Sequence, residues 1–291
     1  MGIKNRCLAV LLCLLSTGAF AQQVRINYYS TIWWNEANFK GHLSEKFFYQ
    51  VDFQYRTGSD GNNKPNGDYK NPFDNMMQMQ FRPFFGYNIT EGVKFSIAPS
   101  ISPTWSNTRS IDPKFNMEYR FTAQLQFDKK YGRVAITHRD RFEYRMSGKA
   151  IASTNSAGQM FDGDAYTYDA SKERFRFRYM LRALIPINNN SIEKGTFYVN
   201  VYDEIFIAFG KNVSSNQTFD QNRINIGLGY RMARDVRFEI GYLQQVQMYD
   251  ASTPTSSVTN AFHNNGVQVF LIFNDMKKLF KGEEAAAPVI K

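Results

Sequence analysis

The chain has 291 residues, a formal net charge of +9, and 16% aromatic residues alongside a polar mean hydropathy of −0.45. That length suits one large or two modest domains. After the first residues no apolar run approaches the ~18 residues that a membrane helix needs, so transmembrane helices are excluded from the rest of the chain. A basic balance in an exported chain does not point to nucleic acid, and none is expected as a partner.

Residues 1–21 read as a secretory signal peptide: Lys4 and Arg6 form a basic start, residues 7–15 are apolar, and Ala19-Phe20-Ala21 is a small-residue cleavage site. The apolar run is too short to be an anchor. Cys7 follows Arg6 and Cys13 follows Leu12, so neither has the small preceding residue of a lipoprotein. Both cysteines fall in this segment. The processed chain is therefore expected to carry no disulfide or thiolate metal site, and losing Lys4 and Arg6 lowers its charge to +7.

From there the side-chain period is two. Strands are expected near 26–39, 44–57, 74–88, 92–106, 113–128, 132–147, 172–187, 195–210, 219–233, 235–249 and 263–275. In the second, Phe47, Tyr49, Val51, Phe53 and Tyr55 alternate with Phe48, Gln50, Asp52, Gln54 and Arg56; in the fifth, Met117, Tyr119, Phe121 and Leu125 alternate with Glu118, Arg120, Thr122 and Gln124. Successive side chains of a strand point to opposite faces, so each segment has one apolar and one polar face. A soluble antiparallel sheet and a membrane barrel both fit that alternation. Length separates them: the alternation runs for about 11–15 residues per segment, whereas soluble strands cluster near ~5–6 and a tilted membrane strand needs ~9–11.

Connections alternate as well. Long polar loops such as 58–72 and 148–170 are interleaved with tight turns such as 88–92, 128–132 and 233–235, the pattern of barrels with long outer loops and short periplasmic turns. Eleven segments are legible, but bacterial single-chain barrels have even numbers, so about twelve strands are expected and ten next. A missing strand could lie in 22–30 or within 148–170. The fold class expected is thus an all-β, antiparallel transmembrane β-barrel over 22–275, followed by a loose, charged and Ala-rich tail at 276–291.

The stretch "TIWWNEANFKGHLSEKFFYQVDFQYR", with a Trp-bearing first strand, a short turn and a second strand ending in Arg, resembles an uncharacterised family of bacterial outer-membrane barrels classed as a domain of unknown function. "RFRFRYMLR", "VYDEIFI" and "RINIGLGYRM" are similar to its later strands. The resemblance implies a barrel in the outer membrane and no reaction.

In "RFRFRYMLR", Phe175, Phe177, Tyr179 and Leu181 alternate with Arg174, Arg176, Arg178 and Arg182. Arginine on a lipid face at mid-depth costs about 2–4 kcal/mol, which assigns the guanidinium groups to the lumen. Arg139, Arg141, Glu143 and Arg145 from the preceding strand are expected beside them, as are Tyr198, Tyr202 and Glu204 from the following one; Arg223, Arg231, Arg237 and Glu239 extend the wall. Such a wall either braces a filled barrel by Arg–carboxylate pairs or attracts small anionic solutes. "GLGY" at 227–230 reads as glycines thinning one strand face.

Strict alternation puts His138, Asp140 and Asp203 on the lipid face; a β-bulge shifting the register is the simplest expectation. A surface hydrolase like the outer-membrane phospholipases would need a serine two residues after the histidine, where Asp140 stands. No catalytic residues are expected, and the histidines, His42, His138 and His263, lack metal-ligand spacing. No cofactor is expected. Interfacial anchoring accounts for Trp33, Trp34, Trp105 and the tyrosines near strand ends. The functional expectation is a small passive pore or solute-binding barrel, the alternative a structural barrel with a plugged lumen, with outer-membrane lipid as partner.

Overall fold

The protein is described from a computed structural model covering residues 24–59, 71–105, 115–154, 160–168, 173–213, 218–250 and 258–276. The expected signal peptide and all but the first residue of the expected tail lie outside these.

Among the described residues, twelve strands form one sheet: β1 (Val24–His42), β2 (Phe47–Gly58), β3 (Asn75–Thr90), β4 (Val93–Trp105), β5 (Phe115–Tyr131), β6 (Val134–Thr154), β7 (Met160–Tyr168), β8 (Arg174–Pro186), β9 (Phe197–Phe209), β10 (Phe219–Ala233), β11 (Val236–Asp250) and β12 (Val258–Phe273). The eleven segments legible in the sequence are the eleven staves of a closed ring. β5 pairs with β6, β6 with β8, and β12 with β1, so no edge of the ring is left open. The twelfth strand is β7, concealed in the 148–170 loop; it is a hairpin on the extension of β6, paired from Gly148↔Tyr168 to Thr154↔Met160, and not a stave. Residues 24–30, the other expected hiding place, belong to β1.

An odd ring cannot be antiparallel throughout. Here the exception is the seam, where β1 and β12 run parallel from Val24↔Val258 to Phe39↔Phe273. Glycine makes the seam close tightly: a Cβ on Gly266 would collide with the backbone of Ile32, its register partner. Gly266→Val is expected to lower barrel stability by at least the upper end of the ~1–3 kcal/mol of overpacking. The check is the temperature at which the folded band is lost on unheated gels.

The strands of the ring are 12 to 21 residues long. Connections at 43–46, 91–92, 132–133, 187–196 and 234–235 lie at one end, four of them four residues or shorter, and the other five connections of the ring, seven residues or longer, join the strands at the other end. Outside, large apolar side chains stand exposed in rows, among them Phe81, Phe85 and Ile89 on β3, and Ile224, Ile226 and Leu228 on β10. Inside, the buried positions are mostly polar or charged, with a small apolar cluster of Ile32, Trp34, Met180, Tyr202, Leu243, Phe270 and Ile272 along part of the wall. The polarity is therefore inverted relative to a soluble sandwich, whose apolar faces are the inner ones.

Candidate functional site: a guanidinium-rich lumen

Alternation along β8 turns Arg174, Arg176, Arg178 and Arg182 inward and leaves Phe175, Phe177 and Leu181 exposed outside. Antiparallel pairing with β6 and β9 brings carboxylates to meet them. Glu143, fully buried, accepts from Arg176 Nε (2.8 Å) and Nη2 (2.5 Å) on one oxygen and from Arg178 Nη1 (2.6 Å) on the other. Arg178 also donates to Glu204 through Nε (3.2 Å) and Nη2 (2.8 Å), and Glu204 takes Arg139 Nη2 (3.0 Å) and lies 3.6 Å from Arg223 Nη1.

The layer continues toward the long-loop end. Arg176 Nη1 reaches Asp220 (3.0 Å); Arg145 holds Glu118 in a bidentate pair (2.8 Å each); Arg120 also contacts Glu118. Bidentate, charge-assisted bonds of this kind are the strong ones. Arg176, Arg178, Glu143, Glu118 and Glu204 are all buried in this layer.

Aromatic rings inside the barrel serve as platforms for these cations. Trp34 lies between Arg56, 3.3 Å from its ring centroid, and Arg223, at 4.7 Å. Phe206 carries Arg178 (4.5 Å), Arg223 (4.6 Å) and Arg176 (5.1 Å), and Phe84 carries Arg82 and Arg141. Stacking on a ring face holds a guanidinium in place while leaving its N–H edges free. Trp34 thus departs from the interfacial role expected of it. Adjacent residues of a strand face opposite sides, so Trp33 and Trp34 cannot share one environment.

Below the packed layer lies a cavity of about 700 Å³ that reaches the short-turn end, where Glu91, Gly92, Lys129 and Lys130 line it. Its lining holds eleven Lys or Arg side chains against five Asp or Glu. Asp52 is saturated, taking Arg82 Nη2 (3.0 Å), Asn38 (2.8 Å) and Gln50 (2.6 Å), and Asp128 is held by Lys94 (3.0 Å) and Thr137 (2.7 Å). Arg141, Arg237 and Lys40 line the cavity with no carboxylate partner among the described residues. Among the described residues, Trp34 Nε1, Arg82 Nη1, Arg139 Nε and Arg237 Nε are buried behind the lining without an acceptor. The excess of positive charge on the lining favours an anionic occupant.

The remaining expected wall residues fall as follows. Arg182 joins Glu239, which also accepts from Tyr198 Oη (2.8 Å), and Arg182 Nε reaches Asn200 (2.7 Å); Tyr202 donates to Gln268 (2.6 Å). Room for the Tyr198 ring comes from Gly229, whose Cβ would strike it. Arg174 faces Arg145 across the β6–β8 pair at the upper rim. Arg231 stands apart from the wall: its guanidinium binds the backbone carbonyls of Ile192 (2.5 Å) and Arg234 and braces the short-turn rim. Asp52, Arg82, Arg120 and Asp220 were not among the expected wall residues, and Trp34, Phe84 and Phe206 break the polar-inside rule.

The bulge expected near His138, Asp140 and Asp203 is absent. Pairing of β6 with both neighbours, and of β9 with β8, runs in unbroken register through these residues, and the irregularities of the ring lie elsewhere. All three project from the outer face.

The class of protein defined by this fold and interior is a closed β-barrel with a charged, cation-rich lumen. The chain belongs to the family described as "Protein of unknown function (DUF2490)", which matches residues 31–255. No curated protein matches it. Among solved structures, a NanC porin in a rhombohedral crystal form is similar at 10% sequence identity, covering 82% of this chain and 98% of that one with a TM-score of 0.37.

Proposed function

We propose that this chain is an integral outer-membrane barrel, without enzymatic activity, that takes up small anionic solutes bearing carboxylate or phosphate groups in the cavity at its short-turn end. One observation carries the reading: a cavity lined by eleven Lys or Arg side chains against five Asp or Glu, with Arg141, Arg237 and Lys40 outside the ion pairs of the described residues. Such a field concentrates anions, and low-dielectric walls strengthen it. The short-turn end would face the periplasm.

The outer-membrane assignment is supported by the rows of exposed apolar side chains and by strands long enough to cross hydrocarbon. Ile226→Arg separates it from a soluble barrel. In lipid the change is expected to cost about 2–4 kcal/mol, whereas on a water-exposed face it would be near neutral.

The buried arginine–carboxylate layer favours a second reading, a barrel whose lumen is plugged. Reconstitution in planar bilayers under a potassium chloride gradient distinguishes the two. Small conductance steps with a reversal potential on the chloride side support passage of anions. Silent barrels that still bind inorganic phosphate by calorimetry would make the cavity a binding pocket only. Cation preference without phosphate binding would overturn the reading.

A further inference from the structure

Five polar groups stand together on the outer face, in the middle of an apolar surface. His138 and Asp140 lie on β6, on the opposite side from the lumen-facing Arg139 and Arg141, and next to exposed Phe142. Tyr179 on β8 is the register partner of Asp140, and its hydroxyl lies 2.7 Å from His138 Nδ1. Asp203 is the middle residue of the thirteen in β9 and accepts from Asn222 Nδ2 at 2.6 Å. Leu181 joins the two halves, pairing with His138 on one side and Asp203 on the other. Around them are exposed Phe177, Ile207 and Ile224.

The patch is polar where polarity is least expected. Asp203 lies midway between Phe197 and Phe209, both exposed, so it is at mid-height of the apolar belt. Ionisable groups at that depth are unfavourable against hydrocarbon and are tolerated where another protein surface meets them. The internal bonds do not exhaust the patch: the Asp140 carboxylate lies in the field of His138 of its own copy but accepts no hydrogen bond among the described residues, and His138 bonds through Nδ1 alone.

We propose that this face packs against the same face of a second copy of the chain about a twofold axis parallel to the barrel axis, with His138 of each copy meeting Asp140 of the other. A twofold contact requires one patch to carry both halves of the complement, and here donor and acceptor are two residues apart on one strand. Two barrels in one membrane share a depth axis, so only groups at similar depth can meet. His138 and Asp140 satisfy that condition with each other's copy. The apolar rim of Leu181, Phe177 and Ile207 would exclude lipid and water from the pairs. The proposal rests on the outer-membrane reading above.

The test uses a cysteine at the centre of the patch. The only native cysteines are Cys7 and Cys13, within the expected signal peptide, so Leu181→Cys would be unique in the processed chain. Treated with a short bis-maleimide in isolated membranes, Leu181→Cys is expected to give a covalent dimer. Phe53→Cys, exposed on β2 across the ring, is not. Adding Asp140→Leu to Leu181→Cys is expected to reduce the dimer about ten-fold, equivalent to ~1.4 kcal/mol, with the barrel still folded and membrane-bound.

A monomeric Leu181→Cys, equal cross-linking at Phe53→Cys, or an undiminished dimer with Asp140→Leu overturns the proposal. So does Asp140→Leu stabilising a barrel that stays monomeric, because the face would then be in contact with lipid. Failure of the membrane reading shows itself separately, as wild-type protein recovered folded in the detergent-free soluble fraction.

Discussion

Glu143→Leu is expected to destabilise the barrel by about 3–5 kcal/mol, the cost of removing one partner from a buried ion-pair network. Glu143 is fully buried, and both oxygens are taken by guanidinium groups that are themselves 4–5% exposed. Without it, Arg176 keeps Asp220 and Arg178 keeps Glu204, so each loses part of its compensation and neither can turn to water. The measurement is the urea midpoint followed by fluorescence of Trp34, whose ring is stacked on Arg223 in the same network. The companion variant is Glu143→Leu with Arg176→Met and Arg178→Met. Replacing a buried ionic group by apolar side chains of similar volume is often neutral or stabilising. The triple variant should therefore recover most of the loss, and its lumen should bind anions less well. A loss below ~1 kcal/mol in the single variant would mean that water reaches the layer and screens it.

How much of this is legible in the sequence follows from the period of two. The rule that apolar residues face out and charges face in suffices to lay out every stave and to bring Arg176, Arg178, Glu143 and Glu204 onto one wall. Asp52, Glu118 and Arg120 are legible by the same rule, since each lies on the polar face of its own alternation. What fails is the converse assumption that inward positions must be polar. Trp34, Phe84 and Phe206 point inward because stacked guanidinium groups need a flat apolar support, and nothing in a single strand's alternation announces which cation arrives from across the barrel. The parity of the ring is also hidden. An even count is a statistical property of bacterial barrels, and the parallel seam here depends on Gly266 allowing close approach to Ile32, a long-range pairing that local pattern does not encode. At His138, Asp140 and Asp203 the strict alternation holds and no bulge relieves it; the anomaly is on the surface itself.

Arg141 offers the opposite balance to Glu143, because it contributes charge without a carboxylate to hold. It is 2% exposed, donates to Gln124 Oε1 at 2.6 Å, and rests over the Phe84 ring that also carries Arg82. A buried cation so poorly paired is a cost to the empty barrel. Arg141→Gln should therefore leave the urea midpoint unchanged or raise it, whereas Arg176→Gln should lower it. For a bound anion the sign reverses. A charge-assisted hydrogen bond is worth about 1.5–3 kcal/mol, so affinity for inorganic phosphate should fall about 10–100-fold in Arg141→Gln. Arg141→Lys keeps the charge but loses the fork geometry and should recover only part of that loss. Calorimetric titration of the purified barrel reads both variants, with chloride as the competing anion. A protein in which Arg141→Gln is destabilised like Arg176→Gln, with phosphate binding intact, would make Arg141 another brace of the wall and move the anion site elsewhere in the lumen.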